Sequence, residues 1–265
     1  MKVLILPDVH GRKFWRKTIA NNIGQVDKVI FLGDYLDPYG NEIEENPELM
    51  ECESFGDAKN LLNMLNDIVE LKKNEPNKYI LLTGNHTDSY IWTKFHAATR
   101  TDYKNWEKYH KFFIENLSLF NLVYIENNVI FSHAGISEGW AYEFLANCME
   151  YDESALEGSL VKECAEVLRD TPLKDFNEHY IRGISHISHY RGGDMFYGSC
   201  EWADIREHIN LKASISEIIP KGEEGIYQVF GHSQIRVPLI NSKWACLDCR
   251  KGFIIDTLTK EIVEV

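Results

Sequence analysis

Short apolar runs alternate with polar clusters along the first half of the chain, and this pattern predicts the first elements of the fold. Four apolar runs end abruptly in polar residues, as buried strands do where they open into loops. These runs are Lys2 to Leu6, Val29 to Leu32, Tyr79 to Leu82 and Val129 to Phe131. Two stretches with the spacing of amphipathic helices lie between the first three runs, at Lys13 to Ile23 and at Ala58 to Leu71. Alternating strands and helices predict an α/β sheet with helices on its faces.

The second half of the chain predicts a second sheet and a group of helices. Val129 to Phe131 and Asn121 to Ile125 form a predicted hairpin with its turn at Asn127-Asn128. Helices are expected over Glu138 to Met149 and Ser154 to Leu168. Short C-terminal strands, expected in the second sheet, are Ile226 to Phe230, Trp244 to Leu247, Phe253 to Leu258 and Glu261 to Val265. The expected core is therefore two β layers flanked by helices.

Composition and charge exclude several classes of protein. The 265 residues are 44% hydrophobic, which is enough for a folded core. A net charge of −13 disfavours extended nucleic-acid binding and anionic membranes. The first apolar run stops at Asp8, too early for a signal peptide or membrane helix, and the six cysteines are sparse, so we expect a cytoplasmic protein with reduced thiols.

The segment 41–53 adds a local charge feature, because six of its residues are glutamates. A run of like charge is usually solvated, so this segment is predicted to be an exposed loop. It directly follows a polar cluster, which leaves open a role as a lid.

Five polar motifs carry the candidate chemistry, and each combines carboxylates, imidazoles or a carboxamide with a glycine. They are Asp8-Val9-His10-Gly11, Gly33-Asp34-Tyr35-Leu36-Asp37, Gly84-Asn85-His86, Ser132-His133-Ala134-Gly135 and Phe230-Gly231-His232-Ser233. Polar groups that follow parallel strands gather beyond the carboxyl ends of a sheet. Oxygen and nitrogen donors of this kind suit Mn, Fe, Zn or Ni better than Ca, and the absence of thiolates argues against a structural zinc site.

This ordered set of motifs, from Asp8 to His232, resembles the calcineurin-like metallophosphoesterases. It is most similar to their phosphoprotein phosphatase branch, which includes bacterial and phage protein Ser/Thr phosphatases and the diadenosine tetraphosphate hydrolases. The resemblance implies a four-layer α/β/β/α sandwich with the metal site at the strand carboxyl ends. It further implies one domain over residues 1–265, with a helical insertion around 138–182.

The resemblance also implies a site for two divalent cations, with Mn preferred and Fe, Zn or Ni as alternatives. The implied ligands are Asp8 and His10 for the first metal, Asp34 as the bridge, and Asn85, His133 and His232 for the second. The family's catalytic histidine falls on His86 and its orienting carboxylate on Asp37.

General chemistry supports these roles. Two divalent ions about 3.5–4 Å apart can supply a bridging hydroxide near neutral pH and clamp the phosphoryl oxygens. The leaving alkoxide needs a proton, which a histidine beside a carboxylate can give. We therefore expect hydrolysis of a phosphomonoester by a metal-bridging hydroxide, with His86 as the general acid.

The sequence departs from the family where arginines usually grip the substrate phosphate. Pro38 stands in one of these positions and Thr83 in the other. Bidentate phosphate recognition is lost with them, which puts a phosphoprotein substrate in doubt. Arg191 and, second, Arg206 are the candidate replacements. The alternative is that both are surface arginines paired with neighbouring acids such as Asp204.

Several functions remain open at this point. A phosphorylated small molecule, a nucleotide or a phosphoprotein could be the substrate. Hydrolysis of a nucleotide phosphoanhydride, as in dinucleoside polyphosphates, is the main alternative reaction. A non-catalytic binding module built on the same fold is a further alternative, although all six implied ligands and His86 are present together.

Overall fold

The computed structural model of the protein describes residues 1–92, 98–148, 159–210 and 225–265. Its first sheet is built by strand–helix crossovers, as the alternating pattern predicts. Four neighbouring strands of this sheet are parallel: β1 (Lys2–Leu6), β2 (Lys28–Phe31), β3 (Tyr79–Leu82) and β4 (Phe120–Asn121). The helices of this half are α1 (Phe14–Asn22), α2 (Gly40–Glu45), α3 (Ala58–Asn74), α4 (Asn85–Ile91) and α5 (Trp106–Asn116).

Two C-terminal strands complete the first sheet, which has the order β11-β10-β1-β2-β3-β4. Strand β10 (Phe253–Asp256) pairs antiparallel with β1, and β11 (Ile262–Glu264) pairs antiparallel with β10. The expectation that these strands lie in the second sheet is wrong. Their apolar residues indicate a buried strand face, but they carry no information on which sheet edge the strands join.

The second sheet has the order β5-β6-β7-β9-β8. Its strands are β5 (Val123–Glu126), β6 (Val129–Ser132), β7 (Tyr227–Phe230), β8 (Leu239–Ile240) and β9 (Trp244–Cys246). The predicted hairpin is confirmed, since β5 and β6 pair antiparallel. Asn127 and Asn128 have φ of 50° and 61°, which asparagine tolerates and a tight hairpin turn requires.

The two sheets pack face to face, and this gives the four-layer α/β/β/α arrangement that was predicted. Alternate residues of β1, such as Val3 and Ile5, belong to the same buried cluster as Phe131 and Val229 of the second sheet. The opposite face of β1 belongs to a second cluster, which includes Leu61 and other residues of the helices. The alternation of side chains along each strand thus separates an inter-sheet core from a helix-facing core.

A layer of three helices accompanies the second sheet. These helices are α6 (Glu138–Cys148), α7 (Leu160–Asp170) and α8 (Glu178–Ile184). The Trp140 indole N–H donates to the Gly183 carbonyl and joins α6 to α8. Helix α7 begins after Ser159, whose hydroxyl accepts the Lys162 N–H as an N-cap. The earlier predicted start, Ser154, lies outside the described residues, and the single-domain assignment stays a prediction.

The glutamate-rich segment 41–53 is more ordered than a solvated loop. It contains α2 and a 3₁₀ turn at Pro47–Leu49. The Glu42 carboxylate binds Arg12 at 2.6 Å and Arg250 at 2.5 Å. Glu51 binds Arg16 at 2.5 Å. The prediction is therefore right for the exposed Glu44, Glu45, Glu48 and Glu53 and wrong for the part of the segment that is helical. Glu42 and Glu51 pair with arginines that are distant in the chain, which the sequence does not indicate.

In the described part of the chain, no helix combines the length and apolar character that a membrane crossing requires.

Candidate metal centre

Loops at the carboxyl ends of β1, β2, β3, β6 and β7 bring the predicted site residues into one buried cluster. Their donor atoms form two groups whose members lie within 4.8 Å of one another. One group is His10, Asp34 and His86, and the other is Asp34, His133 and His232. Asp34 is shared by both groups, which is the arrangement that a bridging ligand needs.

Asp34 lies at the centre of the cluster. Its Oδ2 atom lies 3.6 Å from His10 Nε2 and 3.3 Å from His133 Nε2. Its Oδ1 atom accepts the backbone N–H of His86 at 3.0 Å. Burial acts to raise the pKa of Asp34, but the neighbouring His133 and His86 hold it well below its usual range. The shared group is therefore a carboxylate that needs positive charge around it.

Backbone carbonyls orient two of the histidines. His10 Nδ1 lies 2.7 Å from the Leu36 carbonyl, and His133 Nδ1 lies 2.8 Å from the Leu32 carbonyl. A carbonyl can only accept a hydrogen bond, so each Nδ1 carries the proton and each Nε2 faces Asp34. Such backbone contacts fix the ring orientation of metal-binding histidines.

The second group gathers nitrogen and oxygen donors at close range. His133 Nε2 lies 3.1 Å from Asn85 Oδ1 and 3.2 Å from His232 Nδ1. Burial opposes protonation of His133, yet the Asp34 carboxylate raises its pKa to about 10. The Nε2 atom of His232 is buried without a hydrogen-bond partner among the described residues. This unpartnered nitrogen and the mixed donor set fit a divalent cation of intermediate hardness.

Asp8 lies outside both groups of donor atoms but is aimed at them by the backbone. The His232 N–H donates to both Asp8 carboxylate oxygens at 3.1 Å. Burial raises the pKa of Asp8, and the nearby His133 opposes that rise. Asp8 is thus buried beside His133, and positive charge bound nearby would stabilise its carboxylate form.

Four residues of the cluster have left-handed backbone conformations that are unusual for side-chain-bearing residues. The φ angles are 43° at His10, 48° at Asp34, 60° at Asp37 and 61° at His232. Each such residue costs on the order of 1 kcal/mol or more. The sharp turns reverse the chain directly after each strand and direct the side chains into one space.

Two glycines leave room for the ligand carboxylates. A Cβ atom at Gly84 would lie 2.4 Å from Asp34 Oδ1, and one at Gly231 would lie 2.1 Å from Asp8 Oδ2. Both separations are far inside van der Waals contact. These motifs therefore need glycine for the close approach of backbone and carboxylate.

His86 and Asp37 form a buried pair beside the first group. Their Nδ1 and Oδ2 atoms lie 2.7 Å apart. The Tyr90 hydroxyl donates to the other oxygen of Asp37 and accepts the Asp102 N–H at 2.8 Å. Asp37 is therefore held from both sides, and the Nε2 edge of His86 is left to face the cluster.

The two candidate substrate arginines occupy different places. Arg191 donates to the Ser233 hydroxyl at 2.7 Å, next to His232, and its Nε lies 2.8 Å from Asp204. Arg206 is half exposed and binds the same Asp204 carboxylate at 2.7 Å. Both arginines thus share one acid, as the alternative interpretation expected, although Arg191 also borders the candidate metal centre.

Among the residues that the structure describes, Arg12, Asp248 and Arg100 lie at the site and were not identified from the sequence. Arg12 is buried and donates to the Asp8 carbonyl at 2.9 Å. Asp248 is buried in the loop after β9, and burial together with Asp8 raises its pKa well above the usual range. The rule that sites follow parallel strands could have indicated Asp248. Arg100 lies beside His86 without any neighbouring motif.

Thr83, at the position where the family resemblance expects an arginine, points into the protein interior. It is fully buried, and its hydroxyl donates to Glu201 at 2.5 Å. Burial and the adjacent Glu201 raise the pKa of Asp88 well above its usual range. Thr83 therefore donates a hydrogen bond to a buried pair of acids, Asp88 and Glu201, and supplies no positive charge to the site.

A comparison with protein-family models matches residues 1–233 to calcineurin-like phosphoesterase. The chain belongs to this family. This protein is therefore a phosphoric ester hydrolase, as the resemblance of its motifs implied. The family implies a dinuclear metal site, and the two groups of donors around Asp34 fit one. A comparison with curated protein sequences gave no match.

Two solved structures with TM-scores above 0.5 support the fold of this calcineurin-like phosphoesterase. A cold-active protein-tyrosine phosphatase from a psychrophilic Shewanella species is 14% identical, with a TM-score of 0.54 over 99% of this chain and 77% of that chain. Another structure of a cold-active protein tyrosine phosphatase is 16% identical, with a TM-score of 0.52 over 96% and 73%. A Saccharomyces cerevisiae protein serine/threonine phosphatase is 12% identical, with a TM-score of 0.48 over 96% and 71%.

Proposed function

We propose that this calcineurin-like phosphoesterase hydrolyses a phosphomonoester. The observation that carries the proposal is the Asp34 carboxylate, which is shared by two groups of metal-binding side chains beside the His86–Asp37 pair. A shared carboxylate can bind two cations, and a histidine beside them can donate a proton to the leaving group.

The proposed ligands of the two cations are the six residues already named from the motifs: Asp8, His10, Asp34, Asn85, His133 and His232. Bound divalent ions supply Lewis acidity and a nucleophile derived from water near neutral pH. The donor set contains no thiolate and combines imidazole with carboxylate, which suits Mn, Fe, Zn or Ni. Manganese is proposed as the preferred ion on the family resemblance. A cytoplasmic location is retained as part of the proposal and depends on the sequence alone.

His86 is proposed to hold the proton that the leaving oxygen takes. Its Nδ1 is engaged by Asp37 at 2.7 Å, so Nε2 is the atom available to the substrate. The Asp37 carboxylate fixes the ring orientation and stabilises positive charge on the imidazole. Tyr90 in turn fixes Asp37, so the proton donor is positioned before the substrate arrives.

The substrate class can be tested with four compounds on the manganese-loaded protein: p-nitrophenyl phosphate, bis-p-nitrophenyl phosphate, a phosphotyrosyl peptide and a dinucleoside tetraphosphate. We expect turnover of the monoesters, and the similarity to the Shewanella protein-tyrosine phosphatase makes the phosphotyrosyl peptide a useful member of the set. Asp34→Asn is the inactive control. Activity on the diester alone would contradict the monoesterase proposal, whereas preference for the tetraphosphate would favour the phosphoanhydride alternative.

Metal analysis separates an enzyme from a binding module. The enzyme proposal expects close to two bound ions per chain after manganese loading. A purified protein that retains less than about one ion and hydrolyses none of the four compounds would be the binding module instead.

A further inference from the structure

Arg100 reaches the candidate metal centre from the segment between α4 and α5. Its guanidinium NH2 lies 3.4 Å from His86 Nε2, the histidine edge that faces the cluster. Its Nε donates to the Asp37 carbonyl at 3.3 Å. The guanidinium carbon lies 3.7 Å from the centre of the Tyr39 ring. Arg100 therefore contacts both His86 and Asp37, and its guanidinium stacks on the Tyr39 ring.

The other two arginines at the centre are already neutralised. Glu42 binds Arg12 at 2.6 Å, and Asp204 binds Arg191 at 2.8 Å. Within residues 1–92, 98–148, 159–210 and 225–265, no carboxylate forms an ion pair with Arg100. Its Nε donates to the Asp37 carbonyl and its NH1 to the Thr99 hydroxyl, and its NH2 lies 3.4 Å from His86 Nε2; none of these contacts is with a carboxylate. The Arg100 charge is thus left for an anion.

The backbone at Arg100 is also adapted to this position. Its φ angle is 65°, in the left-handed region shared with His10, Asp34, Asp37 and His232. A non-glycine residue accepts that cost only where the surrounding structure requires it. The stacking on Tyr39 and the bond to the Asp37 carbonyl then set the plane of the guanidinium before any ligand binds.

We propose that Arg100 binds the phosphoryl oxygens of the substrate and supplies the phosphate recognition that Pro38 and Thr83 lack. This inference rests on the proposed phosphomonoesterase function. Tyr39, on which Arg100 stacks, directly follows Pro38 in the chain. The guanidinium of Arg100, from a distant segment, therefore lies next to the loop in which Pro38 stands at the position of a family arginine. Its planar fork matches a phosphoryl group bidentately, and the nearby His86 faces the leaving oxygen.

The test compares Arg100→Ala and Arg100→Lys with Arg169→Ala, an exposed arginine on α7 that pairs only with its neighbour Asp170 among the described residues. Binding of inorganic phosphate to the manganese-loaded protein is measured by calorimetry, and KM is measured with p-nitrophenyl phosphate. We expect Arg100→Ala to raise both the phosphate Kd and KM by about 10- to 100-fold. Arg100→Lys should recover part of the loss, and Arg169→Ala should match the wild type.

A second background separates direct binding from an effect through His86. Arg100→Ala is combined with His86→Asn, and phosphate binding is measured again. Weaker binding in both backgrounds supports the inference. Loss only when His86 is present would make Arg100 a positioning residue and overturn the inference, as would an unchanged phosphate Kd in both backgrounds. Equal metal content and circular dichroism in all variants show that the site is intact.

The two proposals fail in different ways. If the wild type binds phosphate through Arg100 but hydrolyses no monoester, the proposed function is wrong and the assignment of Arg100 stands. If the wild type hydrolyses monoesters and Arg100→Ala has the KM and phosphate Kd of Arg169→Ala, the assignment is wrong and the function stands. A wild type that neither binds phosphate nor hydrolyses a monoester after manganese loading overturns both.

Discussion

His86 Nδ1 lies 2.7 Å from Asp37 Oδ2, and both side chains are buried at the edge of the candidate metal centre. The contact fixes which nitrogen of His86 faces the substrate. It also joins the loops after β2 and β3, so the geometry of the proton donor depends on the register of two neighbouring parallel strands. The proposed chemistry is therefore sensitive to small changes in either loop.

Replacement of His86 should affect substrates according to their leaving group. His86→Asn should lower kcat for alkyl phosphates by about 10²–10⁴-fold, because the alkoxide then leaves without a proton. The loss should be much smaller for p-nitrophenyl phosphate, whose leaving group needs little protonation. Steady-state kinetics with both substrates measure the difference. Equal losses on the two would show that His86 is not the general acid.

Metal stoichiometry should distinguish the shared ligand from a ligand of one ion. Asp34→Asn should reduce binding of both cations, because Asp34 belongs to both groups of donors. His133→Ala should reduce binding of the second cation and leave the first, which does not use His133. Elemental analysis of the two manganese-loaded variants checks this. Identical metal content in both variants would contradict the bridging role of Asp34.

A methyl group at Gly231 should disturb metal binding more than folding. In Gly231→Ala the added carbon would meet Asp8 Oδ2 at 2.1 Å, so the carboxylate must move away from the cluster. We expect weaker manganese affinity and lower activity, measured by metal titration. Gly24→Ala is the matched control, because no atom lies within 4 Å of its added carbon. The prediction is wrong if the two variants bind manganese equally well.

Stability should fall in mild acid because of the buried His208. Burial lowers the pKa of His208 to about 4, although its Nε2–H donates to the Ala134 carbonyl. In the unfolded chain a histidine has a pKa near 6.5. The neutral His208 therefore makes its full contribution to the free energy of unfolding above about pH 6.5, and this contribution decreases as the pH falls towards 4. Between pH 8 and pH 5 the expected loss is about 2 kcal/mol in the free energy of unfolding.

His208→Gln isolates that contribution, because glutamine keeps an N–H donor but does not titrate in this range. Urea unfolding at pH 8 and pH 5 should therefore show a smaller decrease for the variant than for the wild type. The other titrating groups are common to both proteins and cancel in the comparison. Parallel pH profiles would mean that His208 does not remain neutral in the folded state.

The strand ends are the part of this protein that the sequence predicts best. Lys2–Leu6 and Tyr79–Leu82 were predicted with the bounds that the structure has, and the motifs that follow them lie in the cluster. Both features are local. An apolar run states that a strand is buried, and the polar residues after it must lie at the strand's carboxyl end whatever the sheet order is.

What the sequence alone determined is therefore the fold class, the family and the set of side chains gathered at one edge of the sheets. Only the tertiary structure decided that β10 joins β1, that Arg12 and Arg250 neutralise Glu42, and that Arg100 stacks on Tyr39 beside His86. The physical reason is the range of the interactions. Periodicity records which face of an element is buried, whereas ion pairs, edge pairing and stacking join residues whose separation along the chain leaves no local pattern.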